Sequence, residues 1–281
     1  MHSHINALSV FPLRAAAKAG VPVRIAHSHS TSGKGEYAKN ALKAVLKTQS
    51  NRYPTHRFAC SRFAGEWLFG KDANFEVVYN AIDLNSFRFN AETREQTRAD
   101  LGLVGGQFVI GHVGRFMAQK NHPFLIDVFA EVAKRRDDAV LLLVGTGEAG
   151  ASVKALVDER GLTDRVKFLG QRSDVNRLYQ AFDAFVLPSL YEGLCLVGVE
   201  AQVSGLPCLL SDAITREVDV TGECKFLPID SPAVWADEID SLLPYSYEGR
   251  LSISSGQFAD YNIELQGERL TYKYLDLYSR N

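Results

Sequence analysis

Two runs of the 281-residue sequence combine residue types that hold phosphates and sugar hydroxyls. The first is Gly114-Arg115-Phe116-Met117-Ala118-Gln119-Lys120-Asn121, which follows an apolar stretch and precedes a helical one containing Pro123. Glycine lets a chain turn tightly at a strand's carboxyl end, where open α/β sheets bind ligands. Arg115 then offers a planar fork and Lys120 a point charge, a pair suited to a diphosphate and equally to two solvated cations on a loop. The second run is Pro188-Ser189-Leu190-Tyr191-Glu192-Gly193-Leu194-Cys195-Leu196-Val197-Gly198-Val199-Glu200-Ala201. A helix starting just after Gly193 would leave the N–H groups around Gly193 to Cys195 facing the crevice as an anion site. Glu192 would stand at the helix mouth, and Glu200, a little over two turns on, would return near the same side. Carboxylates there accept from neighbouring hydroxyls, although Glu192 alone also fits a helix-dipole partner and Glu200 half of an ion pair. A third candidate is His27, in Ile25-Ala26-His27-Ser28-His29, which fits a ligand contact or a polar loop residue following a strand.

These residues need elements to position them. From about residue 107 onward, short apolar runs alternate with amphipathic stretches, the pattern of a parallel βαβ sheet. Strands are predicted at 108–112, 140–144, 166–169, 184–187, 207–211 and 224–227, with helices at 123–136, 151–160, 175–181, 197–204 and 233–243. Such alternation describes a doubly wound α/β sheet covered by helices on both faces. Residues 1–90 read as part of a second sheet of the same kind, with strands at 23–26, 57–60 and 76–78 and helices at 6–19, 37–48 and 62–69. Residues 87–107 read as a linker, Asn80 and Asp83 as capping and turn residues before it, and 264–278 as a final helix packing back across both halves. The expected domains are therefore 1–95, 96–262 and the terminal helix 263–281.

Composition bounds the function. The chain is 46% hydrophobic and 23% charged, which suits a globular protein with a sizeable core and excludes a disordered or collagenous one. Its net charge of −2 is unevenly distributed, because residues 1–62 contain ten Lys/Arg and the single acid Glu36. That asymmetry suggests that the first quarter faces something anionic. Within it, residues 37–47 form a helical pattern with Ala38, Ala41, Leu42, Val45 and Leu46 on one side and Lys39, Lys43 and Lys47 stacked, as on a surface-lying helix or a solvated basic face. No nucleic-acid recognition motif accompanies the charge. Cys60, Cys195, Cys208 and Cys224 lack CxxC spacing and read as free thiols, which fits a cytoplasmic protein. No apolar run approaches a membrane span, and no secretion signal is recognised at the N-terminus.

Taken together, the runs 114–121, 170–174 and 189–201 resemble the retaining nucleotide-sugar glycosyltransferases of family 4, closest to bacterial transferases of capsular and exopolysaccharide synthesis. The resemblance extends from about His27 to the C-terminal helix. It implies a GT-B fold, two Rossmann-like doubly wound domains facing each other across a cleft, with the donor held by the C-terminal one. It implies that Arg115, Lys120 and main-chain groups at Gly193 and Leu194 bind the donor diphosphate. Glu192 and His27 would serve the transferred sugar at the catalytic centre, with His29 a second candidate, and Glu200 would hold the ribose. Phe168, Leu169 and Arg172 would lie beside the nucleobase. The implied activity is hexosyl transfer with retention from a nucleotide-sugar donor, a uridine diphosphate sugar by expectation, to a saccharide or lipid-linked acceptor.

No cofactor is expected, because cations and a helix N-terminus stabilise a leaving diphosphate without metal and no Asp-x-Asp motif occurs. Retention in such enzymes is thought to proceed by front-face attack, so no protein nucleophile is assigned. The expected partners are the donor, the acceptor and an anionic inner-membrane surface, with no nucleic acid, and the expected location is cytoplasmic or peripheral on that membrane. The family's opening strand and Gly-rich loop have no counterpart before Met1-His2-Ser3-His4, and Ser32-Gly33-Lys34-Gly35 comes too late to supply it. The N-terminal domain is therefore expected to be incomplete. Alternatives are a non-catalytic nucleotide-sugar-binding remnant and, lower, a nucleotide-sugar epimerase. A dinucleotide-dependent dehydrogenase ranks lowest, since no strand is expected to be followed by Gly-x-Gly-x-x-Gly.

Overall fold

The computed structural model describes residues 1–29, 37–242, 246–252 and 255–280. Its first unit is a four-stranded parallel sheet in the order β1-β2-β3-β4, built from β1 (His2–Ser3), β2 (Ile25–Ser28), β3 (His56–Ala59) and β4 (Glu76–Val77). The short β1, which the sequence pattern did not suggest, pairs His2 with Ile25 and Ser3 with Ala26. Three helices connect these strands: α1 (Val10–Lys18), α2 (Tyr37–Lys47) and α3 (Arg62–Phe69). Helix α3 starts where Ser61 accepts a hydrogen bond from the Ala64 N–H, satisfying a donor that the first turn leaves without a helical partner. The Ser32-Gly33-Lys34-Gly35 run lies outside the described residues.

The stretch predicted as a linker is instead largely helical. Helix α4 (Leu84–Phe87) is capped by the Asp83 carboxylate, and α5 (Ala91–Asp100) by Asn90. An interior anchor fixes α5: Arg94 and Arg98 both pair with Asp183, whose Oδ2 also accepts the Val109 N–H at 2.7 Å. The pattern missed this helix because its buried groups are Arg94 and Thr97 rather than an apolar stripe. Residue 95, the expected domain boundary, lies inside it.

The second unit is a six-stranded parallel sheet in the order β10-β9-β8-β5-β6-β7. Its strands are β5 (Phe108–Val113), β6 (Ala139–Val144), β7 (Val166–Gly170), β8 (Ala184–Leu187), β9 (Cys208–Ser211) and β10 (Lys225–Leu227). The helices are α6 (His122–Arg135), α7 (Gly150–Glu159), α8 (Val175–Ala181), α9 (Leu196–Val203) and α10 (Pro232–Asp240), with α11 (Ile263–Ser279) at the end. All six residues of β6 are buried, as a central parallel strand with both faces covered requires. One core face unites Val109, Leu142, Phe185 and Val199, and the other Ile110, Phe129, Leu141 and Trp235, so the sheet is wound on both sides. Reversed, the strand order is that of the Rossmann sheet, with its switch point between β5 and β8.

The terminal helix α11 packs back on the first sheet, where Leu277 joins Ile25 and Phe58 in a small core. Cys60, Cys195, Cys208 and Cys224 are all free thiols, and burial pushes Cys195 up to about 12 and Cys60 up to about 11, which leaves both poor nucleophiles.

Candidate functional site

At a doubly wound sheet's switch point, adjacent loops diverge to opposite faces and open a crevice beyond the strands' carboxyl ends. Here those loops are 114–121 after β5 and 188–195 after β8, the two runs singled out in the sequence. Lys120 Nζ meets Glu192 Oε1 at 2.7 Å across the crevice. Gln119 Nε2 donates to the other carboxylate oxygen at 3.1 Å and to the Tyr191 carbonyl at 2.9 Å, and the Leu190 N–H donates to the Gln119 carbonyl at 2.8 Å. The sequence reading passed over Gln119, whose place between two basic residues was the available signal. The Arg115 side chain is exposed on the same loop.

Helix α9 starts at Leu196, with Cys195 as its cap and no side chain capping it. That is one residue before the predicted 197 and later than a start just after Gly193, because residues 188–195 form the loop that engages Gln119 and Lys120. Gly193, Leu194 and Cys195 are buried, and among the described residues their N–H groups have no acceptor within the chain. Buried donors without partners beside a lysine form a seat for an anion. Glu200 lies within α9, half-buried, where it accepts from the Tyr179 hydroxyl at 2.9 Å. Burial raises its carboxyl above the usual range, while the Tyr179 hydrogen bond works against the shift. Among the described residues no hydrogen bond or ion pair joins Glu200 to a partner of Glu192.

The expected nucleobase-side residues are more dispersed. Phe168 faces Phe116 with ring centroids 6.0 Å apart, Leu169 packs against the core, and exposed Arg172 is held by a bidentate pair with Asp174 at 2.7 and 2.8 Å.

A correction concerns glycine spacing. Gly145-Thr146-Gly147-Glu148-Ala149-Gly150 does follow a strand, β6, with Gly-x-Gly-x-x-Gly spacing. Its position and contacts explain it without a dinucleotide, since that fingerprint belongs to the first strand-helix turn of the sheet, here after β5. Gly145 has φ +136°, and a Cβ there would stand 2.1 Å from the Gly114 carbonyl oxygen; one at Gly147 would stand 2.3 Å from that of Phe116. The two glycines let one loop backbone lie directly against the loop that carries Arg115 and Lys120.

Both sheets turn their carboxyl edges toward this crevice. Ser61, which follows β3, donates from Oγ to the Gly193 carbonyl at 2.9 Å, and Glu217 accepts the N–H groups of Arg62 and Phe63 at the start of α3, each at 2.7 Å. His27, near the end of the neighbouring β2, is buried among histidines. His2 Nε2 and His27 Nδ1 share a hydrogen bond at 3.1 Å, His4 Nδ1 and His29 Nε2 share one at 2.8 Å, and His2 Nδ1 lies 2.6 Å from the Tyr274 hydroxyl. Burial, then the neighbouring rings, push His27 down to about 2 and His2 and His29 down to about 4, so all three are neutral at physiological pH. His27 Nε2 is buried without a partner. The sequence reading weighed His27 and His29 but not His2 and His4; two His-x-His pairs on neighbouring strands were the signal.

Residues 107–244 match the family Glycosyl transferases group 1. They are a group 1 glycosyltransferase domain. The putative glycosyltransferase EpsF of Bacillus subtilis is 39% identical over 248 residues, covering 85% of this chain. The UDP-Gal:alpha-D-GlcNAc-diphosphoundecaprenol alpha-1,3-galactosyltransferase of Escherichia coli is 31% identical over 257 residues, covering 86% of it. This chain spans 64% of the length of each of these relatives. Among solved structures, Anabaena Alr3699/HepE in complex with UDP and glucose superposes with a TM-score of 0.81 at 20% identity, covering 95% of this chain and 75% of that one. Sucrose-phosphate synthase from Thermosynechococcus elongatus also reaches 0.81, at 22% identity, covering 100% of this chain and 74% of that one. The chain has the GT-B architecture, as its sequence led us to expect.

Proposed function

We propose that the chain binds a nucleotide-sugar donor, a uridine diphosphate sugar, at the β5/β8 crevice and serves its transfer with retention to a saccharide or lipid-linked acceptor in extracellular polysaccharide synthesis. The observation that carries this reading is the Lys120–Glu192 pair beside the unpartnered N–H groups of Gly193 and Leu194 at the switch point. A donor diphosphate brings the anion those amides lack, and Lys120 and exposed Arg115 neutralise the charge that grows as the glycosidic bond to phosphate breaks. In this reading Glu192, released from or sharing Lys120, accepts from hydroxyls of the transferred sugar. Glu200 accepts from the ribose, with the Tyr179 hydroxyl orienting it. Phe168, Leu169 and Arg172 border the nucleobase, and His27 approaches the sugar from the facing domain. The family match over 107–244 and the diphosphoundecaprenol-linked substrate in the name of the Escherichia coli relative support the donor and acceptor classes.

Cytoplasmic placement on an anionic membrane surface belongs to the same reading. Among the described residues no helix is long and apolar enough to cross a membrane. On α2, Leu42 and Val45 are exposed near Lys43 and Lys47, which gives an apolar strip flanked by cations. The expected apolar side is thus only partly covered: Leu46 packs inward, whereas Leu42 and Val45 do not. Sedimentation with vesicles should show binding to phosphatidylglycerol but not to phosphatidylcholine, lost in a Leu42→Ser/Val45→Ser variant.

Two measurements test the activity. A melt of the chain with and without UDP reads donor binding, because a ligand of the folded state raises the transition. Release of UDP from UDP-sugars, with and without a polyprenyl-diphosphate-linked saccharide, reads transfer. A UDP-dependent shift without transfer to any acceptor would favour a nucleotide-sugar-binding role. Absence of both would overturn the proposal.

A further inference from the structure

The four histidines at the head of the first sheet form a constellation that donor binding does not use as a whole. In parallel β1 and β2, His2 lies opposite Ile25 and Ser3 opposite Ala26, so the two His-x-His pairs, each running one residue past its strand, lie side by side. Residues two apart on a strand project to the same face, which gathers His2, His4, His27 and His29 on one side. Their rings are close: centroids are 4.0 Å apart for His2 and His4, 4.0 Å for His27 and His29, 5.0 Å for His4 and His27, and 5.2 Å for His2 and His27. One ring nitrogen from each of His2, His4 and His27 lies within 4.8 Å of the others.

We propose that His2, His4 and His27 bind a single divalent transition-metal ion of the zinc class, with water completing its coordination. Imidazole nitrogens suit zinc, copper and nickel, and two nitrogens on one tetrahedral zinc stand about 3.4 Å apart at ordinary bond lengths. His2 Nε2 and His27 Nδ1 are already 3.1 Å apart, so small ring rotations admit an ion. Zinc-bound histidines characteristically use their second ring nitrogen to hold an outer partner that fixes the ring. His2 has one in the Tyr274 hydroxyl, supplied by α11, and the His29 backbone is tied by its N–H to Asn6 Oδ1 at 2.7 Å. His27 is buried, His2 and His29 are half-buried and His4 is exposed, which leaves the cluster an entry path from solvent. Without an ion the cluster leaves His27 Nε2 buried and unpaired, a polar group that a folded chain normally satisfies. The expectation of metal-free chemistry concerned the donor diphosphate in the other domain and is untouched by this site.

The test uses untagged chain stripped with a chelator and titrated with Co²⁺, then Zn²⁺. One Co²⁺ per chain, with the strong visible absorption of a tetrahedral nitrogen site and displacement by one Zn²⁺, is the expected result. His4→Asn, at an exposed position, should weaken binding by more than the roughly 10–100-fold that loss of an outer partner costs, and Tyr274→Phe should weaken it within that range. His56→Ala, in the same sheet outside the cluster, should bind as the parent does. Only weak aquo-like absorption, or unchanged affinity in a folded His4→Asn, overturns the proposal. A UDP melt on the same samples reads the other domain, so failure of the metal site and failure of the donor site are separately visible.

Discussion

Lys120 and Glu200 play different parts in the crevice, and their variants should separate them. Lys120 supplies a positive charge to the crevice and holds one Glu192 oxygen, while Gln119 retains the other. Lys120→Ala should therefore weaken UDP binding by about 1–3 kcal/mol, the loss of one charge-assisted bond, as read by isothermal titration. Glu200→Gln keeps an acceptor for Tyr179 but removes the charge, so a similar loss is expected for UDP and a smaller one for the free base uracil. Unchanged UDP affinity in both variants would dismiss the site assignment. Asp183 is the opposite kind of carboxylate: buried, paired with Arg94 and Arg98, and remote from the crevice loops in role. Asp183→Asn takes the whole negative charge away from buried Arg94 and Arg98 and should cost about 3–5 kcal/mol of stability, measured by urea denaturation, with little change in UDP affinity once folded.

At the level of elements, the crevice depends on backbones that touch. The turn after β6 supports the loop after β5 through the Phe116 N–H bond to the Thr146 carbonyl at 3.0 Å and the Ala149 N–H bond to the Phe116 carbonyl at 2.9 Å. A methyl at Gly147 meets main-chain atoms, which have no rotamer to yield, so Gly147→Ala must displace the Arg115 and Lys120 loop. It should reduce the UDP-induced rise in melting temperature, whereas Gly105→Ala, in open space, should leave that rise intact. The helix within residues 87–107 shows why polar segments are hard to read. A helix whose inner face is arginine is invisible to apolar periodicity, and only the position of Asp183, distant in sequence, makes those arginines interior.

Across the whole molecule, buried neutral histidines set a pH dependence. Unfolded, they take up protons near 6.5; folded, His2, His29 and His122 resist until about 4 and His27 until about 2, burial being the chief cause in each. His112, wholly enclosed beside the Val186 carbonyl, is held well below its ordinary value too. Between these limits the unfolded chain binds more protons, so stability is full above about pH 6.5 and falls as the pH drops toward 4. Each wholly buried ring contributes up to about 1.4 kcal/mol per pH unit in that window. Urea midpoints of the metal-free chain between pH 7.5 and 4.5 check the slope, and a flat profile would contradict the burial of these rings.

The sequence by itself determined what is local and periodic. Apolar runs of strand length placed β5 to β10 within a residue or two, helices 62–69 and 175–181 fell as predicted, and the glycine, cation and carboxylate types of 114–121 and 188–201 marked the chemistry. The tertiary structure decided what depends on distant partners. It held residues 188–195 as a loop ahead of α9 through Gln119 and Lys120; it ordered α5 through Asp183; and it gave the 145–150 glycines a packing purpose. It also gathered His2 and His4 with His27 and His29, since parallel pairing between segments more than twenty residues apart leaves no periodic trace along the chain.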